Sequence, residues 1–251
     1  MKYFIITGAS KGLGEGIALE LIKEEHHLLC ISRTESDQLK KIAAAKNCPL
    51  DFFLFDLAFS HDIPDLMQRV FDSIHPEENS GVYLVNNAGL IQPVSRVEDM
   101  DADAVDVHMR VNLLAPMLIS SAFIRLSRHM QVPKRILNIS SGAAQNPYYG
   151  WSCYCTGKAG MEMFGLCISE EQKNEAYPVE TMSVAPGIID TEMQTTIRGT
   201  DDRDFIHKQK FVELKESGQL VPPALAGKKL ASLLLSDGFR DGEITDIRDS
   251  Y

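Results

Sequence analysis

Positive charge is scarce in this chain: 25 Lys and Arg stand against 35 Asp and Glu, giving a formal net charge of −10 and a pI near 5.2. A general nucleic-acid binder needs excess cations to neutralise phosphate, so that class is excluded. A phosphorylated small molecule needs only a few local cations and stays open. Metal-ligand spacing is missing: the seven histidines are scattered, with no His-Glu-x-x-His, so no bound metal is expected. The five cysteines (Cys30, Cys48, Cys153, Cys155, Cys167) are odd in number and form no Cys-x-x-Cys pair, which fits a reducing cytoplasm. The first apolar run, Tyr3–Ile6, is too short for a signal-peptide core. The longest uncharged stretch, Ile136–Gly157, is crowded with Ser, Asn, Gln, Gly and Pro, so no membrane span is expected.

The composition is that of a globule, with 44% hydrophobic and 24% charged residues over 251 positions. Short apolar runs at Tyr3–Ile6, His27–Ile31, Leu50–Phe55, Val82–Val85, Arg135–Ile139, Thr181–Val184 and Glu243–Ile247 read as seven strands. Four of the first six are nearly continuous in Ile, Leu, Val and Phe, as strands covered on both faces must be. Amphipathic segments lie between them: Leu13, Ile17 and Leu21 form one stripe, and Leu66, Val70 and Ile74 another. This alternation predicts an α/β, Rossmann-type, doubly wound seven-stranded parallel sheet with helices on both faces. One domain over residues 1–251 is expected. Within it Gln194–Gly218 forms a polar loop or lid beside the ligand crevice, with Asp201–Asp204 on its solvated surface.

The first strand runs into Thr7-Gly8-Ala9-Ser10-Lys11-Gly12-Leu13-Gly14 and then a helix. Glycines permit the tight turn and the close approach of backbone N–H groups to a pyrophosphate at the positive end of the helix. The alternative is a strand-to-helix turn without a ligand. The second strand ends Ser32-Arg33-Thr34, lacking the acidic residue that would accept from a ribose 2′-hydroxyl. Arg33, with Lys11 as a second cation, matches a 2′-phosphate and points to NADP(H); the alternative for Arg33 is a solvated surface arginine.

Tyr154 and Lys158 share a helix face. An ammonium beside a phenol is expected to lower its pKa from ~10, suiting it to proton exchange with a carbonyl or alcohol oxygen. Ser141 follows a strand end and is placed to reach the same substrate oxygen. Asn112, flanked by Leu113 and Leu114 inside the helix-patterned stretch Asp101–Met130, needs a specific partner.

The glycine loop, the Asn86-Asn87-Ala88-Gly89 turn, Asn112, Ser141, Tyr154, Lys158, and Pro186-Gly187 with Thr191 together resemble the short-chain dehydrogenase/reductase family, in its order and at its spacings. The segments Arg135–Ala144, Gly150–Ala159, Ala185–Gln194 and Leu214–Leu220 resemble, within that family, the sepiapterin reductases and more closely the bacterial branch that reduces benzil to (S)-benzoin. The resemblance implies that Gly8, Ser10, Lys11, Gly12 and Leu13 line the cofactor phosphates and that Asp56, with Leu57 beside it, takes the adenine amino group. Asn86, Asn87, Ala88 and Gly89 would shape the adenosine-ribose wall. Lys158 would hold the nicotinamide ribose, and Ile189 and Thr191, after Pro186 and Gly187, the carboxamide. It further implies that Ser141 polarises the carbonyl, Tyr154 donates the proton and Asn112 holds a relay water. A homodimer is likewise implied.

Trp151, Tyr148, Tyr149 and Met193 form either a flat apolar substrate wall or ordinary packing beneath the lid. Cys153 and Cys155, beside Tyr154, read as small packing residues ahead of a redox pair. The functional expectation is an NADPH-dependent carbonyl reductase for α-diketones. The alternatives are a sepiapterin-type pteridine reductase and a non-catalytic NADP-sensing protein.

Overall fold

The computed structural model describes residues 1–75, 77 and 80–250. Seven parallel strands form one sheet: β1 (Lys2–Thr7), β2 (His26–Ser32), β3 (Leu50–Leu54), β4 (Gly81–Asn86), β5 (Lys134–Ile139), β6 (Glu180–Ala185) and β7 (Glu243–Asp246). Their spatial order is β3-β2-β1-β4-β5-β6-β7. The chain starts near the middle and winds outward in both directions, which puts the crevice between β1 and β4 at the carboxyl ends. Every expected strand is present, with bounds moved by a residue or two.

Among the described residues, nine helices connect and flank the strands: α1 (Gly12–Leu21), α2 (Asp37–Ala45), α3 (Ile63–Asp72), α4 (Ala102–Met109), α5 (Ala115–Ser127), α6 (Ser152–Gln172), α7 (Glu192–Gly199), α8 (Lys208–Glu216) and α9 (Pro223–Leu235). The strands divide their side chains between two cores. Phe4, Ile6, Leu28 and Val85 face Ile17, Leu21 and Leu230 on one side; Ile5, Leu29, Leu84 and Ile136 face Leu66, Val70, Ile119 and Phe123 on the other. Fully burying such an aliphatic side chain stabilises the fold by about 1.5–3 kcal/mol. A Cβ on Gly227 of α9 would overlap the backbone of Gly16 in α1, and one on Gly16 would overlap the Pro223 carbonyl at the start of α9. That contact anchors α1, and with it the glycine loop at its start.

Residues 102–127 run as one continuous helix, with a π-helical turn at Arg110–Leu114 between α4 and α5. By length and composition it could cross a membrane, contrary to the expectation that no segment has that character. Half of its most apolar window is buried within the fold, and Val111, Ala115, Ile119 and Phe123 pack in the core, so it serves here as a core helix. The Gln194–Gly218 segment is less polar in effect than its sequence suggests. Ile197, Phe205 and Phe211 are buried and dock it onto Trp151 and Ile91, while Asp201 and Asp202 face solvent.

Candidate active site

The glycine loop leaves β1 with Gly8 at φ +68° and Gly12 at φ +61°, conformations that side chains strain. A Cβ on Gly14 would overlap the Gly8 carbonyl oxygen and Asn87 Nδ2. The loop is tied to the turn after β4. Asn87 Nδ2 donates to the carbonyls of Thr7 (2.9 Å) and Gly8 (3.2 Å), and the Asn87 and Ala88 N–H groups donate to Thr7 Oγ1 at 3.0 and 3.1 Å. Among the described residues, no side chain caps the N-terminus of α1. A positive helix end with uncapped N–H groups behind a side-chain-free cradle fits a dinucleotide pyrophosphate.

Other expected cofactor residues lie around this loop. Arg33 is exposed at the end of β2, and Ser10 is half-buried. Lys11 does not stand free beside Arg33: it forms an ion pair with Glu192 at the start of α7. The pairing arises because Thr191 packs against the loop, 3.2 Å from where a Gly12 Cβ would lie. Asp56 Oδ1 accepts from Ala58 N at 3.0 Å, and Leu57 is buried in the core. Asn86 points inward, donating to Ser120 Oγ (3.0 Å) and Asn138 Oδ1 (2.9 Å). Ile189 is buried and bridges to Val221. Gly187, at φ +82°, lies under the Arg248 side chain, with Pro186 before it.

The predicted catalytic residues come together at the carboxyl end of β5. Ser141 caps a short turn, its Oγ accepting from Ala143 N at 3.2 Å, and it shares a hydrogen bond with the Tyr154 hydroxyl. Tyr154 is buried, 8% exposed. Lys158 Nζ donates to the Ile139 carbonyl at 2.7 Å and lies 5.7 Å from the Tyr154 ring centre. Asn112 sits on the π-helical turn. It exchanges two hydrogen bonds with the Leu90 backbone, both 2.7 Å, and so has the specific partner its sequence setting requires.

The electrostatics correct one expectation. Burial pushes the Tyr154 phenol up to about 12, against the pull of the Ser141 hydrogen bond. The Lys158 ammonium does not reverse this, being engaged by a backbone carbonyl beyond the ring. Lys158 is itself lowered to about 8 by burial, opposed by Glu162. A phenol that stays protonated suits an acid that delivers its proton to an alkoxide, a stronger base than phenolate.

Two contributors escape the sequence reading. Glu162 is buried one turn beyond Lys158 and accepts from Ser140 Oγ at 2.5 Å; His108 lies one turn before Asn112 and contacts it. The four-residue spacing to a candidate catalytic residue is the signal that could have found both.

Trp151 is taken up by packing. Phe205 covers one face of its ring at 4.7 Å and 4°, and Tyr154 meets it edge-on. Tyr148 and Met193 are half-buried around that cluster, and Tyr149 is exposed. Cys153 is buried, its thiol pushed up by desolvation.

The short chain dehydrogenase family model matches residues 2–202. The chain belongs to the short-chain dehydrogenase/reductase family. It is 40% identical to "Benzil reductase ((S)-benzoin forming)" of Bacillus cereus over 247 residues, covering 98% of this chain and 99% of that one. It is 31% identical to sepiapterin reductase of Mus musculus, covering 98% and 96%. Among solved structures, the KRED1-Pglu enzyme superposes with a TM-score of 0.83 at 27% identity, covering 97% of this chain and 100% of that one. The protein is an oxidoreductase acting on CH–OH or carbonyl groups, with a fold that binds a nicotinamide cofactor. The alternative of a non-catalytic sensor is set aside.

Proposed function

We propose that this short-chain dehydrogenase is an NADPH-dependent reductase that converts one carbonyl of an α-diketone, such as benzil, to the hydroxy ketone. The observation that carries the reading is the Ser141–Tyr154–Lys158 arrangement at the end of β5, between the glycine loop and the docked Gln194–Gly218 lid. The identity to the Bacillus cereus enzyme supports the diketone. Bound NADPH supplies the hydride for the carbonyl carbon. Ser10, Gly12 and Leu13 would hold the phosphates through backbone N–H groups, with Gly8, whose own N–H donates to the Ile31 carbonyl at 2.8 Å, shaping the turn, and Asp56 and the Asn87–Gly89 turn would flank the adenosine. Ile189 and Thr191 orient the nicotinamide. Ser141 donates a hydrogen bond to the carbonyl oxygen and holds the charge that develops there. Tyr154 delivers its proton to the same oxygen, and the Lys158 ammonium stabilises the phenolate left behind. Met193, Tyr148 and Tyr149 border the ring-binding side.

Purified protein should oxidise NADPH with benzil and release a single benzoin enantiomer, read by chiral chromatography. Turnover of sepiapterin without benzil would transfer the assignment to the pteridine reductases that the mouse relative represents.

NADPH preference is assigned to Arg33. Guanidinium matches a 2′-phosphate geometrically, and Lys11 is engaged by Glu192. Arg33→Ala is expected to weaken NADPH by about 10- to 100-fold, as losing a charge-assisted pair does, and to spare NADH. Equal loss for the two cofactors, measured by fluorescence titration, would remove Arg33 from the 2′-phosphate. A homodimer through α5 and α6 is part of the proposal, supported by the exposed Leu114 and Met163 on that side. A cytoplasmic location is supported by five free cysteines and bacterial relatives.

A further inference from the structure

His108 is fully buried on the last turn of α4, directly behind the catalytic helix. Its Nδ1 lies 2.5 Å from the Gln92 carbonyl, which can only accept, so Nδ1 carries the proton. Its Nε2 lies 2.9 Å from Asn112 Nδ2. The orientation of Asn112 is set independently: Oδ1 accepts from Leu90 N and Nδ2 donates to the Leu90 carbonyl. The second Nδ2 proton therefore points at His108, and Nε2 must be the unprotonated acceptor. Both nitrogens of the imidazole and both protons of the amide are thereby assigned. The free side of Asn112 Oδ1 faces Gly89 together with Lys158 Nζ, since a Cβ on Gly89 would lie 3.5 Å from the first and 3.7 Å from the second.

We propose that neutral His108 is a positioning residue for the proton-transfer site, holding Asn112 and the Leu90–Gln92 segment against α6, and that protonating it breaks this arrangement. A proton on Nε2 would set N–H against N–H. Turning the Asn112 amide to relieve the clash would lose both bonds to Leu90 and withdraw its oxygen from the Lys158 side.

The inference rests on reading Tyr154 and Lys158 as the proton-transfer pair. The titratable groups facing the ring come from α6: Tyr154, edge-on at 6.3 Å, and Lys158; the Cys153 backbone carbonyl is a further hydrogen-bond neighbour of the ring. Tyr154 is neutral, leaving the Lys158 ammonium as the opposing charge. Arg110 and Asp106, on the helical run that carries His108, pair with each other at 2.6 Å in an exposed bridge. Burial, with Lys158, holds His108 below the ordinary histidine range, against the Gln92 and Cys153 backbone bonds. The neutral form therefore prevails at neutral pH and is lost only on acidification.

Two variants separate this role from simple packing. His108→Gln places a non-titrating acceptor where Nε2 stands, while His108→Phe fills the volume without one. Wild-type kcat should fall on the acid side through one ionisation below the histidine range. His108→Phe should lower kcat about tenfold or more at every pH, and His108→Gln should recover most of that loss with the acid limb gone. An acid limb unchanged in His108→Gln, or full activity in His108→Phe, overturns the proposal.

A second readout needs no turnover. In 15N-labelled protein the imidazole signal that His108→Gln removes should report an Nδ1–H, neutral ring at pH 7, and the Asn112 side-chain amide should shift as that ring titrates. An Nε2–H or charged ring, or an amide indifferent to the titration, overturns it even if the diketone assignment fails.

Discussion

Tyr154→Phe is expected to lower kcat for carbonyl reduction by about 10²- to 10⁴-fold, the range that a positioned general acid contributes. The ring keeps its packing against Trp151 and His108, so the melting temperature and NADPH affinity should stay close to wild type. Only the hydroxyl bonded to Ser141 is lost. The wild-type rate has a matching pH signature. The Tyr154 phenol, raised to about 12, remains protonated across the neutral range, so the group that limits the alkaline side is Lys158, lowered to about 8. As pH rises through that value the ammonium is lost, the phenolate loses its stabilising charge, and kcat falls. Stopped-flow rates from pH 6 to 10 test both statements. A Tyr154→Phe enzyme within threefold of wild type would exclude the phenol as proton donor.

Gly14→Ala should abolish cofactor binding with equal severity. The added Cβ would overlap the Gly8 carbonyl oxygen and Asn87 Nδ2. Neither can move aside. Gly8 is held in a left-handed turn, and Asn87 Nδ2 is bonded to the Thr7 and Gly8 carbonyls. Relief requires α1 to shift outward, where its Gly16 is already in backbone contact with α9. Overpacking of this kind costs about 1–3 kcal/mol, and here it also dismantles the phosphate cradle. NADPH affinity should fall by about 100-fold or more and the melting temperature by several degrees. Gly199→Ala, where a Cβ meets nothing within 4 Å, is the control. Wild-type NADPH affinity in Gly14→Ala would mean that the loop does not hold the phosphates.

The seven parallel strands and the shared helix side of Tyr154 and Lys158 were legible from the chain because they follow from local rules. Apolar runs covered on both faces become parallel strands, and residues four apart on a helix share a side. The shared environment of those groups was not legible. An amine four residues from a phenol suggests an acidified phenol. Burial among Trp151, Ile91 and Phe205 instead raises the phenol, because desolvation depends on every element packed around the group. Lys11 reads as a free cation next to Arg33 until α7 brings Glu192 against it from 181 residues away. Trp151 reads equally as a substrate wall or as packing until Phe205, from the Gln194–Gly218 segment, is seen stacked on one face of it.

Periodicity and glycine placement in the sequence therefore determined the sheet, the glycine turn between β1 and α1, and the shared helix side of Tyr154 and Lys158, since each is a property of neighbours along the chain. Tertiary packing alone decided the protonation of those side chains, the tautomer of His108, the partner of Lys11 and the use of Trp151. Desolvation and hydrogen-bond partnership at these positions are set by residues remote in sequence, which meet only when the sheet and its helices close around them.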